Sequence, residues 1–134
     1  MLHEGAPALS EPWERRLGAL PVVALGDGLR LHEAVAFNAR RKGLAGVDAL
    51  PADVALHIRR CWSVHTFGMR FPLDLVWLDR RGAVVRVDAG VRPRRARTCV
   101  RARTVVETAA GSGARFAAAL SSGALTDLRS APSS

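Results

Sequence analysis

Between residues 60 and 79 the chain reads R-C-W-S-V-H-T-F-G-M-R-F-P-L-D-L-V-W-L-D, its densest crowding of reactive side-chain types. The thiol of Cys61, the hydroxyl of Ser63, the imidazole of His65 and the carboxylate of Asp74 are ingredients of nucleophilic catalysis. In such chemistry a thiol or hydroxyl attacks, an imidazole takes its proton, and a carboxylate orients the imidazole. Arg70 adds a planar, permanently charged donor suited to a carboxylate or phosphate.

Spacing tempers that reading. If residues 61–65 are extended, Cys61, Ser63 and His65 share one face, and Trp62, Val64 and Thr66 the other. Along such a strand Cys61 and His65 are about 13 Å apart and Ser63 and His65 about 6.6 Å, beyond hydrogen-bond reach. The simpler reading makes Cys61 a small hydrophobe, with Ser63 and His65 satisfied by neighbouring backbone. For catalysis that simpler reading is preferred. A metal site from Cys61 and His65 with Cys99 or His57 has little support, because neither C-x-x-C nor H-x-x-x-H spacing is present. No metal and no cofactor is expected.

The elements that must position these groups are mostly strands. Residues 73–79 are apolar on both faces, with Leu73, Leu75 and Trp77 on one and Val76 and Leu78 beside Asp74 on the other. This predicts a strand buried on both sides, turned at Gly82 into an antiparallel partner over residues 83–88, the hairpin lying at the heart of the sheet. An Asp in such a strand must find donors, and the His65 ring or the amides of the turn over residues 66–70 are the expected ones. Residues 21–25 and 29–37 predict another hairpin around Gly26-Asp27-Gly28. Asn38 is the expected N-cap of a short helix ending near Gly43 or Gly46. Residues 54–58 predict a strand with His57 opposite Leu56 and Ile58, and residues 104–108 a further strand. Ser112 is the expected N-cap of a last helix, whereas residues 90–103 read as irregular.

The whole chain sets broader bounds. At 134 residues, 49% hydrophobic and 24% charged, it is long enough for a real core and unlike a disordered chain. We expect a flexible arm over residues 1–20, in which residues 14–17 can form a helical turn, a single mostly-β domain over 21–128 and a disordered tail over 129–134. No apolar run approaches a membrane span, and the acids and proline near the N-terminus do not suit a signal peptide, so a cytoplasmic protein is expected. Cys61 and Cys99 are accordingly expected as free thiols.

The formal charge of +8 raises the question of nucleic acid. However, every basic residue except Lys42 is arginine and Ala, Gly and Val abound, as base composition alone would produce, and there is no Tyr for base stacking. Arg92, Arg94, Arg95, Arg97, Arg101 and Arg103 form a concentrated positive run, either an anion or acidic-partner patch or a solvated loop.

The segment C-x-S-V-H-T-F-G-M-R-F-P-L-D resembles the family called domain of unknown function 192, in its actinobacterial style. The resemblance runs from about Leu29 to Phe116. It includes A-R-R-K-G-L-A-G at residues 39–46, Leu78-Asp79 with its Gly82 turn, and Val105-Val106-Glu107 followed by Ala110-Gly111. It implies a compact, mainly β domain with short helices, a small barrel or sandwich, and no established activity, cofactor or substrate. It also implies that members often carry a signal peptide or lipid anchor, and that some are encoded near pilus or secretion machinery. Where the family pattern closes with Gly-Asp and a hydrophobic, Gly123 and Asp127 are here separated, so a remodelled or missing final strand is expected.

These observations favour a non-catalytic ligand- or protein-binding domain with a polar pocket lined by Cys61, Ser63, His65, Thr66, Arg70 and Asp74, its partner a small anionic ligand or a protein. The competing readings are a small hydrolase-like enzyme using Cys61 or Ser63 with His65, and an electrostatic binder of anions or nucleic acid.

Overall fold

Strands of alternating or continuous apolar character build one sheet, and the computed structural model describes residues 10–122 of the chain. β1 (Val22–Ala24) and β2 (Arg30–Ala34) form the expected hairpin around Gly26-Asp27-Gly28. Asp27 and Gly28 both take positive φ, 62° and 75°, as the tight reversal requires. β2 lies parallel to β3 (Val54–Arg59), so the intervening chain must cross over, and α2 (Phe37–Lys42) lies in that crossover. The chain then returns through β5 (Leu73–Leu78), β6 (Val84–Val91) and β8 (Thr104–Ala109). The strand order is β1-β2-β3-β8-β5-β6, all antiparallel except β2 with β3. Outside this sheet β4 (Ser63–His65) and β7 (Ala96–Thr98) pair as an antiparallel ribbon.

Each face of the sheet is covered differently. On one, Leu56, Leu75, Trp77 and Val105 pack with Leu44, Val47, Val64 of the ribbon and Leu17. Leu17 belongs to α1 (Trp13–Leu17), which contains the expected helical turn. On the other, Ala55, Val76, Leu78 and Val106 meet Phe116 and Leu120 of α3 (Gly113–Ser121). The spacing of Gly113, Phe116 and Leu120 puts one face of that helix onto the sheet. All six residues of β5 are buried, in keeping with its two apolar faces.

The mainly β character matches the sequence expectation, but the sheet stays open with β1 and β6 at its edges rather than closing into a barrel. The hairpin of β5 and β6 is present, yet only β5 is interior, because β8 takes the place on its other side. α2 begins at Phe37, with Ala36 in the cap position, so Asn38 lies inside the helix rather than capping it. Residues 96–98, read as irregular, are drawn into the ribbon by pairing with β4, a tertiary constraint that local pattern does not carry. Residues 1–9 of the expected arm, the tail over 129–134, and Gly123 with Asp127 lie outside the described residues. No helix of the described residues is long and apolar enough to cross a membrane.

Candidate functional site

The pocket starts from a carboxylic acid placed by strand register. Thr104-Val105-Val106-Glu107-Thr108 alternates, so Glu107 must share a face with Val105. In the sheet Glu107 stands opposite Leu56 of β3 and Leu75 of β5, flanked by apolar neighbours on both sides. It is 4% exposed, its Oε1 is buried without a hydrogen-bond partner, and burial pushes its carboxyl up to about 7.

Above Glu107 lies a pocket of about 300 Å³. Cys61, Ser63 and His65 line one wall, and Arg40, Lys42 and Gly43 from the end of α2 line another. Leu44, Ile58, Val64, Phe67 and Met69 supply its apolar lining. Gly43 takes φ 53°, and a Cβ there would lie 3.3 Å from Glu107 Oε1, so a side chain at this position would be strained and would crowd the acid.

The structure thus brings together Cys61, Ser63 and His65, the odd-numbered face predicted for residues 61–65. Their environments do not make a nucleophile pair. The Cys61 thiol donates to the Ser63 carbonyl at 3.3 Å, and burial pushes it above its ordinary value, away from the reactive thiolate. Ser63 Oγ lies 3.2 Å from Thr98 Oγ1 across the ribbon. The exposed His65 ring leans on Phe67, with ring centroids 5.5 Å apart.

The remaining candidates are used elsewhere. Asp74 is on the opposite face of the sheet, beneath α3, and does not orient His65. Its Oδ2 accepts from the amides of Gly111 and Gly113, both at 2.9 Å, and its Oδ1 from the amide of Gly90 at 2.8 Å. The donors that a buried Asp requires are therefore present, but they come from the end of β6 and from the start of α3, the latter almost forty residues further on. Ser112 does occupy the cap position of that helix, yet its side chain makes no capping bond. Thr66 is buried and closes a loop, donating to the Arg92 carbonyl at 2.7 Å and accepting from the Arg95 amide at 2.8 Å. Arg70 extends toward Asp48 at 3.9 Å.

Sequence reasoning did not place Glu107, Arg40 and Lys42 beside Cys61, Ser63 and His65 in this pocket. The available signal was a Glu two places after an inward Val in a strand with little polar relief. His57 proves to face away from the pocket, with Nδ1 3.0 Å from both oxygens of its strand neighbour Glu33. Among the described residues no group of three or more His, Cys, Asp or Glu could hold a metal ion, and both cysteines are free.

The positive run between residues 92 and 103 flanks the ribbon. Arg95, Arg97 and Arg103 donate to nearby backbone carbonyls, and none of the six arginines pairs with a carboxylate among the described residues.

Residues 24–122, which hold the ribbon, α3 and the whole sheet except the start of β1, are matched by the family model DUF192, described as an uncharacterized ACR. The chain belongs to the DUF192 family. A comparison with curated proteins finds no match. Two solved structures share this fold. One, from Novosphingobium aromaticivorans, is described as a protein of unknown function. It has a TM-score of 0.59 at 16% identity, over 73% of this chain and 87% of the other. The second, from Sinorhizobium meliloti, is described as a "putative transcription regulator". It has a TM-score of 0.60 at 18% identity, over 71% of this chain and 82% of the other.

Proposed function

We propose that this DUF192 domain is a non-catalytic ligand-binding domain whose ligand occupies the pocket between the end of α2 and the ribbon. The observation that carries the reading is Glu107: an acid buried in the sheet, with an oxygen left unpartnered, lining a cavity of ligand size. A buried polar atom without a partner costs roughly 1–3 kcal/mol, a burden that a bound molecule relieves by supplying the missing contact. The lining combines an apolar floor with a few polar groups, and Arg40 and Lys42 favour a ligand with an anionic group.

Two features favour binding over hydrolysis. The Cys61 thiol is shifted away from ionisation, and the carboxylate that would have oriented His65 serves α3 instead.

The test is a panel of small organic acids, amino acids, sugar phosphates and nucleosides added to the isotope-labelled chain. The expected result is that one chemical class shifts the resonances of Gly43, Cys61, Ser63, His65 and Glu107 and slows maleimide labelling of Cys61. A panel that leaves both the pocket resonances and Cys61 labelling untouched counts against the reading.

A further inference from the structure

Resting on the ligand-binding reading, the chemistry of the pocket narrows the ligand class. The charged and titratable groups that line it with Glu107 are Arg40 and Lys42 from the end of α2, Cys61 from the segment after β3, and His65 from β4. The strand neighbours of Glu107, Leu56 and Leu75, contribute only apolar surface. The pocket therefore has a buried acceptor at one place and two cationic side chains at another, over an apolar floor.

A purely anionic ligand would meet the charge of Arg40 and Lys42 but offer Glu107 no donor, so that only the protonated acid could face it. A purely cationic one would meet Glu107 but face the two basic side chains. A sugar, polar on all sides, would waste the apolar surface of Leu44, Ile58 and Met69. We propose that the pocket takes a small amine–carboxylate zwitterion, the chemistry of a free apolar amino acid, with its ammonium on Glu107 and its carboxylate toward Arg40 and Lys42. The apolar substituent lies against Leu44, Ile58 and Met69. The cavity of about 300 Å³ suits a molecule of that size and is small for a nucleotide.

This arrangement carries a linked proton. In the empty pocket burial favours the neutral carboxyl of Glu107, whereas an ammonium at hydrogen-bond distance favours the carboxylate. Binding near pH 7 therefore releases a proton from Glu107. A ligand that only accepts a hydrogen bond there would hold the proton or draw one in.

The experiment is calorimetric titration of the wild-type chain and of Glu107→Gln, which keeps side-chain volume while removing the charge. Three probes are used: leucine, isocaproate (leucine without its amine) and isoamylamine (leucine without its carboxylate). Each is measured near pH 7 in two buffers of different ionisation enthalpy. The expected result is leucine binding about tenfold or more tighter than either analogue, with proton release that Glu107→Gln abolishes. Glu107→Gln should weaken leucine by about tenfold and leave isocaproate nearly unchanged. Isocaproate binding as tightly as leucine in both proteins would overturn the zwitterion while leaving the pocket in use. Leucine without any heat or pocket shift would overturn it too, and the broader panel would then decide the binding reading separately.

Discussion

Asp74 and Gly113 touch across the sheet–helix boundary: the Gly113 amide donates to Asp74 Oδ2 at 2.9 Å, and a Cβ on Gly113 would lie 2.7 Å from Asp74 Cβ. The same carboxylate also collects the amides of Gly90 and Gly111, tying the end of β6 and the start of α3 to β5. Removing it by Asp74→Ala leaves three amide donors without their acceptor, and the expected loss is roughly 3–5 kcal/mol in chemical denaturation. Gly113→Ala should cost about 1–3 kcal/mol although alanine favours helices, since the added methyl meets a strand that cannot yield. An alanine at residue 113 that stabilises the chain would show that the contact is slack.

The placement of Asp74 also reverses an expectation read from the sequence. His65 lies across the sheet from that carboxylate, so the NMR resonances of its ring should be the same in wild type and Asp74→Asn. Displaced ring resonances in the variant would mean that the two residues communicate after all.

Glu107 gives stability a pH dependence whose sign follows from its raised value. Its protonated form is the one the fold tolerates, so its contribution is fully present below about 4.5 and lost as pH rises through about 7. That difference amounts to roughly 3 kcal/mol between the two extremes. Glu107→Gln should remove this decline, leaving the variant more stable than wild type at pH 8. Glu33 acts in the opposite sense. Burial would raise its carboxyl, but the hydrogen bond and charge of His57, with Arg59, outweigh burial and hold it below the usual value. Its contribution is present above the ordinary glutamate value and lost as pH falls through the depressed one. Denaturation midpoints of Glu107→Gln and Glu33→Gln across pH 3 to 9 separate the two.

The two thiols should behave differently. Cys99 is buried in the core, whereas Cys61 is partly exposed in the pocket and held above its ordinary value. In the folded chain a maleimide should label Cys61 first and slowly, with a rate that climbs with pH, and Cys99 only after unfolding. Cys61 that reacts faster than a free cysteine at neutral pH would revive the nucleophile reading.

Leu75, fully buried in β5 opposite Glu107, should lose roughly 2–5 kcal/mol on replacement by alanine, through lost burial and the cavity left behind. An unchanged denaturation midpoint would contradict its place in the core.

Much of the sheet was legible because burial writes itself into alternation: residues 73–78, 54–58 and 104–108 are strands where the pattern demanded them. The turn at Gly26-Asp27-Gly28 was legible from residues that tolerate positive φ. What local pattern could not carry was partnership at long range. Asp74 needed donors, but nothing between residues 66 and 74 indicated that they would come from Gly90, Gly111 and Gly113. Half of the pocket was found for the same reason that half was missed. Cys61, Ser63 and His65 are neighbours in sequence, whereas Glu107 and Arg40 join them only through sheet register and the β2–β3 crossover.

The insertion of β8 between β3 and β5 has a consequence for the growing chain. β3 and β5 are complete long before β8 exists, and until it arrives each presents an open edge to other chains. No shorter N-terminal piece of the sheet can close these edges, so assembly waits for residues 104–109 and is dominated by pairings between distant segments. Such a topology folds slowly and late, after most of the chain has left the ribosome. The pocket, which needs Glu107, is among the last features to form, and a ligand that fits it should act on the finished domain rather than guide its folding.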